Sequence, residues 1–186
     1  MKSIFFTLFS LTHVFVTVGQ IKVHSHSIQN RRVVNFSSVQ KKDTFYLDVS
    51  WKDTLKNGSA RLYVKSGENK IIFDTTFAKI SKILGYDNNP TKNDIEQIKK
   101  QYSALIKGKT DVLVLYKIQV FFIDQRFTRP AIKLSANYDT DLDRIGKNLW
   151  LGIQKDQQSV SYAISILDEI SINIVYSRKL GKVIDF

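Results

Sequence analysis

Asp139-Thr140-Asp141-Leu142-Asp143 is the densest run of oxygen ligands in the 186-residue chain. Its D-x-D-x-D spacing opens a calcium loop, in which alternate carboxylates turn toward one cation. The remainder of such a loop is missing. Arg144 stands where a glycine makes the sharp turn, and Trp150 where a glutamate closes the site. Asp139, Asp141 and Asp143 are therefore the metal-ligand candidates, against the competing expectation of a polar turn between two strands. His24-Ser25-His26 is the next constellation. The chain has no cysteine, so zinc there would need carboxylates from elsewhere.

Hydrolysis by paired carboxylates has little to draw on. Glu68, Glu96 and Glu169 are the glutamates, each in an expected loop or on a wet helix face. Asp74 and Asp124 fall at expected strand ends. The patterns G-x-S-x-G, G-x-x-x-x-G-K-[ST] and H-E-x-x-H do not occur. A serine nucleophile would have to recruit His24 or His26. The expectation leans away from an enzyme, with no catalytic residue and no cofactor assigned. Phe121 to Pro130 mixes aromatics with Arg126 and Arg129. Exposed, such a stretch makes a recognition patch; buried, it ends a central strand, and the buried state is expected.

Residues 1–19 set the address. Lys2 is a short charged head, Ile4 to Val18 is an apolar run broken only by Ser, Thr and His13, and Thr17 and Gly19 are small residues before a cleavage point. This is the anatomy of a secretory signal peptide. The run is shorter than the roughly 20 residues a spanning helix needs. Residues 20–186 are then expected to form a single β-rich domain, periplasmic or secreted. Twenty-eight Lys and Arg against 17 Asp and Glu give a formal charge of +11. The basic residues are scattered, without a run of five, so they first predict a solvated surface that keeps the protein soluble, and next a weak attraction to anionic envelope components or to another envelope protein, rather than nucleic-acid binding.

Alternation dominates the elements that must position these groups. Phe45, Leu47, Val49 and Trp51 alternate with Tyr46, Asp48 and Ser50, which predicts a strand over Thr44–Trp51. Asn57-Gly58 is a turn signal. Ala60–Lys65 and Lys70–Thr76 read as a hairpin around Ser66-Gly67-Glu68-Asn69, and Val33–Phe36 as one short strand. The period then changes. Phe77, Ile80, Ile83 and Leu84 fit a short helix stopped by Gly85. Thr91 with Asp94 is a variant capping box. It precedes an apolar stripe of Ile95, Ile98, Tyr102, Leu105 and Ile106, so a helix is predicted over Lys92–Lys107, ended by Gly108. Asp111–Asp124 is apolar on both faces and is expected to be a central strand. Ala131–Tyr138 and Ile145–Gln154 are expected strands too.

Ser159 to Ser177 closes the pattern. Val160, Tyr162, Ile164 and Ile166 oppose Ser161, Ala163 and Ser165; Ile170, Ile172, Ile174 and Tyr176 oppose Ser171 and Asn173. A two-residue loop at Asp168-Glu169 would set every apolar residue across from a polar one. Because side chains alternate with period two, an odd loop, Leu167-Asp168-Glu169, is predicted. The small residues of the polar face leave room for another layer, such as the Lys92–Lys107 helix, or for a cavity.

The class expected is α+β: a mainly antiparallel sheet of eight or nine strands with a helical insertion at about residues 77–107. The alternative is an eight-stranded outer-membrane β-barrel. The terminal K-L-G-K-V-I-D-F resembles the C-terminal assembly signal of bacterial outer-membrane barrels, which would imply an outer-membrane location. Against it, Arg178 and Lys182 would share a face with Ile184 and Phe186, at roughly 2–4 kcal/mol for a mid-membrane lysine. The function expected is a non-catalytic binding or structural role at the bacterial envelope, with a small outer-membrane barrel and a secreted hydrolase as alternatives.

Overall fold

A computed structural model of the chain describes residues 20–84, 89–140, 144–166 and 170–186. Residues 1–19, expected to be a signal peptide, the expected helix stop at Gly85 and the loop Leu167-Asp168-Glu169 lie outside the described residues. Among the described residues, two antiparallel sheets of five and four strands accompany three α-helices, the expected α+β class with a helical insertion.

The first sheet is a meander of β1 (Gln20–His24), β2 (Ser27–Val34), β3 (Asp43–Ser50), β4 (Ser59–Lys65) and β5 (Ile71–Phe77), each pairing with the next. On its inner face Phe45 lies opposite Val64, Leu47 opposite Leu62 and Val49 opposite Ala60, all fully buried or nearly so. The strands β3, β4 and β5 follow the alternation of the sequence. The strand β1 was not expected, and β2 begins well before Val33. As an edge strand β1 exposes every residue but Ile21, so it carries no alternation to read.

The second sheet runs β6 (Phe127–Thr128), β7 (Ser161–Ile166), β8 (Ile170–Ser177), β9 (Lys182–Asp185). Its hairpin has the register parity demands: Ile166 faces Ile170, Ile164 faces Ile172 and Tyr162 faces Ile174. Among the described residues the two sheets are open and separate, and their strands do not close into an eight-stranded cylinder. Tyr162, Ile164 and Ile174 are buried in one cluster with Phe45, Leu115 and Ile118. At Tyr162, Ile164, Ile172, Ile174 and Tyr176 the apolar side of the hairpin packs against the protein itself. The terminal residues Ile184 and Phe186 pack on a second cluster built on Trp150, Ile153 and Val175.

Three expected strands are corrected. Asp111–Asp124 is mainly a helix, α2 (Lys109–Gln119), preceded by α1 (Lys92–Gln101). Asp111, Val112, Leu115 and Ile118 fall at helical spacing and are buried, and Val114 joins them. A continuous apolar run fits a buried strand or a buried helix equally well. Gly108 was expected to end the preceding helix; it is instead the N-cap of α2, where the Asp111 carboxylate accepts from Gly108 N–H at 3.0 Å and Lys107 N–H at 2.9 Å. The α1 stripe is right in kind but the helix ends at Gln101, and a 3-10 turn over Ser103–Leu105 follows. Phe77–Leu84 yields only a 3-10 turn at Ile80–Lys82.

Ile145–Gln154 is a helix, α3 (Lys147–Lys155), with Trp150 and Ile153 buried one turn apart. It covers the small-residue face of the second sheet at Val175 and Ser177, a layer for which the Lys92–Lys107 helix was one candidate. Ala131–Tyr138 forms no strand; Ile132 anchors it to the α3 cluster.

Buried polar groups tie the pieces together. Asp43 is fully buried and accepts from the backbone N–H of Phe36, Ser37 and Gly67 and from the Ser37 hydroxyl. It thereby joins the β2–β3 loop to the β4–β5 turn. Asn30, on the inner face of β2, donates to the carbonyl of Ile118 at 2.6 Å, a free acceptor at the C-terminus of α2. Arg32 donates to the Phe122 carbonyl and ion-pairs with Asp124. Tyr162 donates to the Phe121 carbonyl at 3.0 Å.

Burial pushes the Tyr162 hydroxyl well above the ordinary tyrosine range, partly offset by Arg126 and Arg32. Its folded pKa exceeds the unfolded value of about 10. That contribution to stability is complete below pH ~10 and falls as pH rises beyond it. Tyr162→Phe is expected to cost about 1 kcal/mol at pH 8 for the lost hydrogen bond. Its further loss on moving to alkaline pH should be smaller than that of the parent, as urea melts at pH 8 and 11 would measure.

Candidate functional site

The register of the first sheet lines up four side chains at one end. His24 pairs with Ser27, Ser27 with Ser50, and Ser50 with Ser59. Paired residues share a face, so this row crosses four strands, with the Ser50 and Ser59 hydroxyls 3.2 Å apart. Beyond Ser50 the chain leaves the sheet. Trp51 N–H donates to the His26 carbonyl at 3.2 Å, and the two rings sit 6.4 Å apart. A 3-10 turn over Leu55–Asn57 then returns the chain to β4. Lys107, from the α1–α2 connection, donates to the Asp53 carbonyl at 3.3 Å.

These strand ends enclose a cleft of about 440 Å³. Trp51, Asp53, Thr54 and Asn57 line it together with Ser50, Ser59, Lys52 and Ala78. A smaller hollow of about 200 Å³ adjoins it across Ser50, with His24, Ser27, Gln29 and Asp48 in its wall. The whole depression therefore presents one indole, several hydroxyls, two amides and two carboxylates. Few residues in it are apolar.

Gly58 sits behind the cleft. A Cβ there would meet the Ser50 carbonyl oxygen at 2.8 Å and the Leu55 carbonyl oxygen at 3.0 Å, both backbone atoms. Gly58 N–H donates to the Leu55 carbonyl at 2.9 Å, and its own carbonyl accepts from Ile80 N–H at 2.7 Å. The glycine lets the turn close tightly enough to bring Asn57 beside Trp51. This is the Asn57-Gly58 turn signal of the sequence, used as a 3-10 turn.

Within the depression Asp48 accepts from the Gln29 amide at 2.7 Å, and Ser50 is beside Ser59. The carboxylates weighed for catalysis from the sequence lie elsewhere, and Glu169 is outside the described residues. Asp74 pairs with Arg61 at 2.6 Å, which holds its carboxyl below the usual carboxylate range. Asp124 pairs with Arg32, and Glu68 with Lys41 at 2.8 Å. Glu96 is exposed on α1. The histidines do reach the site, His24 in the hollow and His26 against Trp51. Of the metal candidates, Asp139 is exposed in an irregular segment after Tyr138, whose ring packs edge-on to Trp150; Asp141 and Asp143 lie outside the described residues. Among the described residues, no three His, Asp or Glu side chains are grouped to hold a metal.

Two other polar surfaces have their partners within the fold. On the outer face of the first sheet Tyr46 and Tyr63 stack at 4.8 Å, with Arg61 over Tyr63 and Lys65 over Tyr46. Burial and then the Asp48 charge push the Tyr63 hydroxyl up to about 12. The aromatic stretch Phe121–Pro130 is buried only at its start: Phe121 and Phe122 are buried and Arg126 lies over the Phe121 ring, while Asp124, Gln125, Thr128 and Arg129 are exposed. It was expected to be buried as the end of a strand, and it is the exit from α2. The cleft itself was missed. Only Trp51 beside Lys52-Asp53-Thr54, polar residues just past a strand, hinted at it.

Compared with known proteins, the chain matches no family model, no curated protein and no solved structure.

Replacing Gly58 by Ala should force the turn away from Ser50 and Leu55, at a cost of about 1–3 kcal/mol for overpacking against backbone. A urea melt checks the stability, and the near-ultraviolet circular dichroism of Trp51 should change with it.

Proposed function

We propose that the chain is an exported, non-catalytic binding protein of the bacterial envelope that holds a hydroxyl-rich glycan in the Trp51 cleft. One observation carries this reading. An indole stands among the Ser50 and Ser59 hydroxyls, the Asn57 amide and the Asp53 carboxylate in a cleft of about 440 Å³. A sugar ring presents C–H bonds on its faces and hydroxyls around its edge. The indole suits the first, and the amide, hydroxyl and carboxylate groups suit the second. A cleft with a few converging polar groups is the usual form of a small-ligand site, in volumes of roughly 300–1,000 Å³.

The expected signal peptide supports an extracytoplasmic setting, where wall and capsule glycans are the abundant hydroxyl-rich polymers. The basic charge supports attraction to that anionic surface. The engagement of Asp48, Asp74 and Asp124 by neighbouring groups favours binding over hydrolysis.

Export is tested by expressing the full chain in a bacterium and determining the N-terminus of the product by mass spectrometry, which is expected to start at Gln20. Binding is tested by co-sedimentation of the chain with purified peptidoglycan and with insoluble wall polysaccharide. Trp51→Ala is expected to weaken retention at least tenfold, about 1.4 kcal/mol. Equal retention of the variant would remove the cleft from the function. Release of new reducing ends during incubation would replace binding by hydrolysis.

A further inference from the structure

A second concavity lies on the far side of the helical layer, where α1 turns back into α2. It is a groove of about 380 Å³, lined by Ile95, Ile106, Val112 and Leu113, with Lys99 and Lys109 on its rim. Val112 is nearly buried at 5% exposure, while Leu113 is 44% exposed on a helix that is otherwise largely covered. Gly108 borders the groove, and a Cβ built on it meets nothing within 4 Å. The space beside it is open, and its extended backbone (φ −164°) accepts any residue.

The charge here has one sign. No acidic residue lines the groove. Of the acids on these two helices, Asp94 accepts from Thr91 as the α1 cap, Asp111 accepts from Lys107 and Gly108 N–H as the α2 cap, and Glu96, exposed on α1, is not among the lining residues. Neither Lys99 nor Lys109 enters an ion pair among the described residues. An apolar trough between two ammonium groups matches a molecule with one hydrocarbon chain and one anionic head.

We infer that the α1–α2 groove binds a single-chain anionic amphiphile of the long-chain carboxylate class, its chain along Ile95, Ile106 and Val112 and its head between Lys99 and Lys109. Other occupants fit less well. A second copy docked by two-fold symmetry would set these lysines against their own images, and like charges in contact repel. A bilayer surface is met by several protruding apolar side chains, whereas of the apolar lining residues here Leu113 alone is well exposed, Val112 is recessed and Ile95 and Ile106 are half-buried. The groove is separate from the Trp51 cleft, so this inference does not depend on the glycan reading.

Dodecanoate, kept below its micelle concentration, is the probe. Titration calorimetry on the mature chain should show saturable, one-to-one binding, with acetate and dodecanol each at least about tenfold weaker. Gly108→Leu should fill the groove and abolish the signal with the fold intact by circular dichroism. Lys99→Glu with Lys109→Glu should weaken dodecanoate at least tenfold and leave dodecanol unchanged. Three outcomes would overturn the inference: no saturable dodecanoate binding, binding that Gly108→Leu does not alter, or binding only to phosphatidylglycerol vesicles. The last would assign the face to a membrane surface. Competition for dodecanoate by an acidic amphipathic helical peptide, at higher affinity than dodecanoate itself, would assign it to a protein partner.

Discussion

Phe45 is where the two sheets meet. Its ring lies 4.9 Å from Phe36, 6.0 Å from Phe122, 5.3 Å from Phe127 and 5.3 Å from Tyr162, mostly edge to face. Those partners come from the β2–β3 loop, the exit of α2, β6 and β7. Offset and edge-on aromatic pairs add about 0.5–1.5 kcal/mol each beyond the area they bury. A core phenylalanine in such a setting typically carries about 3–5 kcal/mol. Remove the contact, and the five-stranded meander and the four-stranded sheet lose the packing that fixes them face to face.

The polar ties around this cluster give it direction, which dispersion alone cannot. Asn30 holds the last carbonyls of α2, Arg32 the carbonyl of Phe122, and Tyr162 that of Phe121. All three receive the chain as it leaves α2, where a helix terminus exposes unsatisfied acceptors. A buried acceptor left unmatched costs about 1–3 kcal/mol, so one position of the helix along the sheet is favoured over its neighbours. With α2 so placed, its N-terminus and the α1–α2 turn meet the far end of the meander. There Lys107 reaches Asp53, and the helical layer borders the Trp51 cleft. The cleft and the amphiphile groove thus both depend on the seat of one helix.

Much of the fold was legible where one face of an element meets water. The Phe45-Leu47-Val49 alternation gave β3, and the same logic gave β4 and β5. At Ser159–Ser177 the alternation also decided the parity of a loop, because a slip of one residue would have faced every isoleucine outward. The Thr91/Asp94 cap marked the start of α1 correctly, since it is made by side chains three residues apart. The failures differ in cause. In α2 Asp111, Val112, Val114, Leu115 and Ile118 are all buried, so few polar residues mark a period. Val, Ile and Tyr then suggest a strand, and tertiary burial overrides that preference. In α3 only Trp150 and Ile153 are buried, and the exposed Lys147, Asn148 and Lys155 did mark a helical period. The candidate chemistry was harder still to see. His24, Ser27, Ser50 and Ser59 are neighbours only through three strand registers, and Trp51 and Asn57 line one cleft across the tight turn that Gly58 permits.

The sequence by itself determined which side chains share a face, where local caps begin, and that the chain is basic and free of cysteine. These follow from period-two geometry, short-range hydrogen bonds and counting. The tertiary structure decided which apolar runs became helices, what covers each sheet, and which distant polar groups share a cleft. Burying an apolar side chain gains nearly the same free energy in either conformation, so the choice rests with the neighbours that complete the packing.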